Sequence, residues 1–207
     1  MCIRDSVFTS YFVMRYGLKG LIGAAVFALP VILLGGREGA HADASADERM
    51  EVLYDAITAF KQHPIFGMGI DQFTEERRIT AHNAYVLAAV DLGIPGFFMW
   101  FGLLYTSVKI PLSVLWRPPA NLDPTTRALA VALAVSFAGM AIGIFFLSFT
   151  YKQLLFVWVG LAGGLYGAVR NEDPTFEVKI GPKDLLAIAG LEVFILSLVF
   201  VYTRLKV

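Results

Sequence analysis

The sequence predicts an all-α membrane protein: a polytopic bundle of about five transmembrane helices, with a polar loop after the first. Three observations carry that prediction. Hydrophobic residues make up 57% of the 207, and the mean hydropathy of +0.65 is too high for a soluble domain. Several long apolar runs are suited to crossing a hydrocarbon layer of about 30 Å. Arginine and lysine recur in alternate connections, as the positive-inside rule requires. A formal net charge of zero gives no electrostatic reason to expect nucleic acid as a partner. The single cysteine, Cys2, excludes an internal disulfide framework and a cysteine metal cluster. Residues 1–207 therefore read as one membrane domain. Five spans are few for a polytopic enzyme or transporter, so the expectation is the C-terminal part of a longer protein.

The first span is residues 18–35, about 27 Å long as a helix. Arg15 and Lys19 precede it and place that end in the cytoplasm, so the chain emerges outside at Gly36. Residues 36–82 form the extracytoplasmic loop, and its polar part carries nine acidic residues against five arginines and lysines. Within it an amphipathic helix is predicted, with Ser45 and Glu48 as a capping box and Met50, Leu53, Tyr54, Ile57 and Phe60 on one face. Pro64 ends this helix, and Pro64-Ile65-Phe66-Gly67-Met68-Gly69 follows as a tight turn. One apolar stripe with a charged back suits a helix lying on the membrane surface or on the spans beneath it.

The chain then enters an apolar helix at His82-Asn83-Ala84-Tyr85. This helix breaks at residues 93–96 and resumes as a span over about 95–108, with Pro95 in its first turn. Further spans are predicted at 128–149, 154–169 and 185–202. Arg117, Arg127, Arg170, Lys179 and Lys183 mark the cytoplasmic connections. Glu192 in the last span costs about 2.5–3.5 kcal/mol if it faces lipid, so either it faces the bundle or the segment is peripheral. Two overlapping G-x-x-x-G patterns, Gly160/Gly164 and Gly163/Gly167, read as helix-packing chemistry. Asp91 is placed near the membrane edge, bonding across the 93–96 break.

Four residues of the loop are candidates for chemistry: His82, Arg49, Arg77 and Arg78. With Thr80 or Asn83 as N-cap, His82 falls in the first helical turn, where the helix dipole keeps imidazole neutral, the state a general base needs. The plainer reading is an interfacial histidine bonded to the loop. Arg49, counted from Ser45, falls near the first turn of its helix, where a cation opposes the dipole. A guanidinium held there suits a phosphate or diphosphate, and the competing reading is a surface ion pair. Arg77 and Arg78 form a small cluster able to neutralise a diphosphate, or to balance Glu75 and Glu76 beside them. His63 reads as a helix-end cap and His41 as solvated, and three histidines without tight spacing make no metal site.

Arg49 on its amphipathic helix, Phe60-Lys61-Gln62-His63-Pro64-Ile65-Phe66-Gly67-Met68-Gly69, His82-Asn83-Ala84-Tyr85 and Asp91-Leu92-Gly93-Ile94-Pro95-Gly96 together resemble the O-antigen ligase and polymerase family of bacterial membrane glycosyltransferases. The resemblance spans roughly residues 45–170, its specific part 49–96. It implies a GT-C-like, metal-independent, inverting enzyme of the inner membrane that needs no cofactor, with its loop facing the periplasm or exterior. The implied donor is a glycan linked to undecaprenyl pyrophosphate, and the implied acceptor a glycolipid, glycan or protein. His82 is then the base and Arg49 the group that stabilises the departing diphosphate, with Arg77, Arg78 and Asn83 binding substrate. The last span, extra relative to the ligase pattern, leans toward a polymerase or another branch of the family. The rival class is a non-enzymatic membrane protein, a solute transporter or a scaffold of a glycan-export complex, which charges lining the spans would favour. A third is a cell-wall glycosyltransferase relative, which shares the donor type but not these motifs.

Overall fold

A computed structural model describes residues 40–77 and 80–206, with side chains over 49–77 and 80–204. The predicted first span at 18–35 lies outside the described residues, as does Arg78. The described residues form six helices: α1 (Ala40–Gln62), α2 (Gln72–Arg77), α3 (Ala84–Trp116), α4 (Pro124–Gly143), α5 (Gln153–Glu172) and α6 (Pro182–Lys206). Of these, α3 to α6 are long and apolar enough to cross a membrane, and no strand occurs among the described residues. The fold class is the predicted one, an all-α polytopic bundle.

The hub is α3, which packs against α1, α4, α5 and α6. It is not one rod. Gly93 has φ 66° and ψ −175°, far from helical values. Tyr85 and Phe101, 16 positions apart, would be separated by about 24 Å along a straight helix. Their ring centroids lie 5.9 Å apart, as do those of Tyr85 and Trp100. The chain therefore reverses at Gly93, and residues 84–92 form a short arm folded back on the long arm, 94–116. The predicted break is present, but it turns the helix around instead of resuming it in the same direction. Ala84, Tyr85, Ala88 and Ala89 of the short arm bury against Phe97, Trp100, Phe101 and Leu104 of the long one.

The motif 64–69 locks this reversal. Ile94 N donates to Pro64 O (2.8 Å), Met68 N to Val90 O (2.8 Å) and Gly69 N to Asp91 O (3.0 Å). The two backbones come so close that a Cβ on Gly67 would sit 2.3 Å from Asp91 O, and one on Gly93 would sit 2.3 Å from Ile65 O. Both glycines also have positive φ, so side-chain size and backbone conformation demand the same residue at each. Asp91 bonds to this turn rather than across the break: Asp71 N donates to its Oδ2 at 3.4 Å.

Several elements differ from the sequence expectations. Helix α1 runs from Ala40, so Ser45 is a helical residue and not an N-cap, and Arg49 lies beyond the first turn. The span expected at 128–149 ends at Gly143, where residues 144–152 leave the helix as a packed turn. Glu192 is 7% exposed and faces the bundle, which settles the choice between bundle-facing and peripheral. The G-x-x-x-G glycines 160, 163, 164 and 167 look away from the bundle, with open space where each Cβ would lie, so they pack no helix among the described residues.

Candidate functional site

The candidate site lies where the loop enters the short arm of α3. Asn83 is the N-cap: its Oδ1 accepts from Tyr85 N at 3.0 Å and Val86 N at 3.1 Å. His82 thus precedes the cap and does not occupy the first turn that the sequence suggested. Its φ is +48°, a left-handed conformation that costs a residue with a Cβ about 1–2 kcal/mol. Ala81 and Asn83 on either side are each 3% exposed, whereas His82 is only partly covered. Two buried neighbours fix the backbone, and the left-handed turn leaves the imidazole accessible.

The end of α4 and the 144–152 turn hold this entry from the other side. Ala84 N donates to Ile144 O (2.9 Å), Tyr85 Oη to Ala141 O (2.9 Å) and Ser148 Oγ to Thr80 Oγ1 (2.8 Å). Thr150 bridges both arms of the hairpin, its Oγ1 donating to Ala84 O (3.0 Å) and its carbonyl accepting from Trp100 Nε1 (3.1 Å). Burial first, and then the neighbouring Asp91 carboxylate, push the Tyr151 phenol above its usual range, so it stays a neutral donor. The Tyr151 phenol and the Asp91 carboxylate face each other, the phenol as donor and the carboxylate as acceptor. Sequence reasoning missed this turn because its apolar run, Phe145-Phe146-Leu147, extends the hydropathy of α4. The hydroxyls of Ser148, Thr150 and Tyr151 were the available signal.

These bonds have a chemical consequence. The first amides of the short arm are already taken, by Ile144 O and by Asn83 Oδ1, so they cannot receive an anion. Positive charge for a diphosphate must come from side chains. Arg49 is exposed on α1, one helical turn before Val52, and Val52 packs in one cluster with Ala81, Val86 and Leu87. The fold therefore brings the Arg49 end of α1 to the His82 entry. Arg77 is drawn elsewhere, its Nη1 2.9 Å from Asp55 Oδ2 on α1. The Asn83 carbonyl oxygen is committed to capping, which leaves only its amide N–H groups for a ligand.

A shallow depression of about 490 Å³ lies on the loop, lined by His63, Gly67, Met68, Gln72, Glu75 and Glu76. Its two glutamates repel an anion, so it is a poor seat for a diphosphate. No group of three or more metal-ligating side chains occurs among the described residues. The entry thus presents two candidate groups, the partly exposed His82 imidazole and the exposed Arg49 guanidinium.

Comparison with known proteins gives one finding. The family model of the O-antigen ligases matches residues 6–101, just under half of the chain. That stretch contains α1, the 64–69 clasp, His82 and the hairpin turn, and it is the family the motifs resemble. No curated protein and no solved structure matches.

Proposed function

We propose, on the premise that residues 6–101 are an O-antigen ligase domain, that this chain carries the acceptor-activating site of a membrane glycosyltransferase in polysaccharide biosynthesis. The donor is a glycan on undecaprenyl pyrophosphate, and the acceptor a hydroxyl of a glycolipid, glycan or protein at the outer face of the cytoplasmic membrane. His82 takes the proton of that hydroxyl as its oxygen attacks the anomeric carbon. The bond from that carbon to the diphosphate breaks, the configuration inverts, and the diphosphate leaves with both bonding electrons. Arg49 offsets the charge that develops on it, and Arg78 and the remaining N–H groups of Arg77 and Asn83 serve substrate binding. The reaction needs no metal, because a diphosphate is already a good leaving group and guanidinium groups supply the positive charge.

The observation that supports this reading best is His82 itself: a left-handed, strained residue, pinned by buried neighbours, in a segment held on one flank by the Thr80 hydroxyl and on the other by the Ala84 amide. Complementation tests it, using the complete reading frame in a strain without its own ligase or polymerase. His82→Ala is expected to cut glycan transfer by about 10²–10⁴-fold with unchanged membrane insertion. Arg49→Lys is expected to fail as well, since a point charge does not reproduce the fork. Transfer retained by His82→Ala removes it as the base. The gel pattern of the rescued glycan separates ligation from polymerisation.

A further inference from the structure

A second feature lies along the short arm of α3. A cavity of about 220 Å³ opens between α1, α3 and α6, walled by Ile57, Phe60, Val86, Leu196 and Phe200. At its mouth two cations share one ring: Lys61 Nζ lies 4.5 Å from the Phe200 centroid and Arg204 Cζ lies 5.6 Å from it. Neither forms an ion pair among the described residues. The outer rim of α6 beside the groove, Leu198 and Val201, is apolar and exposed.

We propose that this groove seats an acyl chain of an anionic bilayer phospholipid, with its phosphate held by Lys61 and Arg204. The occupant must be amphipathic, because the walls are apolar and the mouth carries two positive charges. It must be anionic, because two cations within about 10 Å of each other repel, and the face of one ring offsets this only in part. It reaches the groove from the membrane, onto which the apolar edge of α6 opens. The sugar donor fits less well. Lys61 lies 12 residues beyond Arg49 on α1, about 18 Å along the helix, so a phosphate anchored at Lys61 is that far from the guanidinium proposed to meet the donor diphosphate. This inference does not depend on the proposed activity.

The test uses the purified full chain, titrated in detergent with palmitoyl-oleoyl phosphatidylglycerol, the matching phosphatidylcholine, or undecaprenyl phosphate. Native mass spectrometry reads the occupancy, and thermal unfolding reads the stabilisation. One phosphatidylglycerol per chain is expected to be retained, with phosphatidylcholine lost. At about 1 kcal/mol per basic residue, the Lys61→Gln/Arg204→Gln pair should weaken binding roughly 30-fold. Ser197→Trp, placed at the exposed rim with both cations intact, should also weaken it, and this covers the case in which the double variant fails to fold. Lys179→Gln, whose lysine pairs with Glu177 in the connection between α5 and α6, should change nothing. Equal retention of the two phospholipids overturns the proposal, and so does binding unaffected by the groove variants. Undecaprenyl phosphate displacing phosphatidylglycerol at equal or lower concentration reassigns the groove to a prenyl lipid and overturns it too.

Discussion

At position 82 a β-branch-free side chain sits on left-handed backbone, and the strain and the chemistry can be separated experimentally. His82→Gly removes the Cβ that opposes φ +48°, so thermal unfolding should show stability held or raised by up to about 1 kcal/mol, while transfer is lost. His82→Val should lose both, with about 1–2 kcal/mol of destabilisation, because a β-branched residue tolerates this conformation poorly. A merely structural histidine would give a glycine variant that still works. Asn83 is different in kind: its Oδ1 satisfies two buried amides, so its loss also unties the helix end, beyond any loss of substrate contacts to its amide N–H groups.

At the scale of elements, the hairpin of α3 and the clasp 64–69 form one unit, because each supplies the glycine against which the other packs. Gly67→Ala and Gly93→Ala should each abolish stable yield, since a Cβ at either position meets a backbone carbonyl 2.3 Å away that has no room to move. Gly160→Ala and Gly163→Ala on α5 should be tolerated, with unchanged yield and melting, because open space surrounds both. Size-exclusion profiles and thermal melts of the four variants check the contrast. On α6, Glu192 Oε1 is buried without a hydrogen-bond partner among the described residues, at a cost of about 1–3 kcal/mol. Glu192→Gln should therefore melt at the same temperature or higher. A lower melting temperature would mean that the carboxylate has a partner among residues beyond those described.

For the whole molecule, the bundle has two unlike ends. Arg117, Arg127, Arg170 and Lys183 flank the connections 117–123 and 173–181, while the His82 entry, the clasp and the 144–152 turn share the opposite end. The positive-inside rule predicts the outer face for the site, which the proposed function requires. In a Cys2→Ser background, Phe66→Cys and Leu147→Cys should label with a membrane-impermeant maleimide in intact cells, both residues being exposed. Asn121→Cys and Glu177→Cys should label only after the cells are opened. The reverse pattern would invert the topology and remove the access of the site to an outer-face donor.

The sequence by itself determined the class: apolar run lengths and basic connections specify helices across a membrane, because no other arrangement of the described kind satisfies backbone groups in hydrocarbon. It also marked Gly93 as a break and Pro64 as a helix stop, since both effects are local to the backbone. Only the tertiary structure decided what those signals do together. A glycine break reads the same whether the chain bends or reverses, and here the reversal is set by Tyr85 meeting Trp100 and Phe101 and by Pro64 and Val90 carbonyls accepting across the clasp. The capping box at Ser45 was legible but not used, because a helix already under way overrides a local cap. The 144–152 turn was hidden in the hydropathy of α4, and the polar bonds that end that helix come from residues about 50–70 positions away. Periodicity carries local preference, whereas the position of His82 depends on contacts that are distant in sequence.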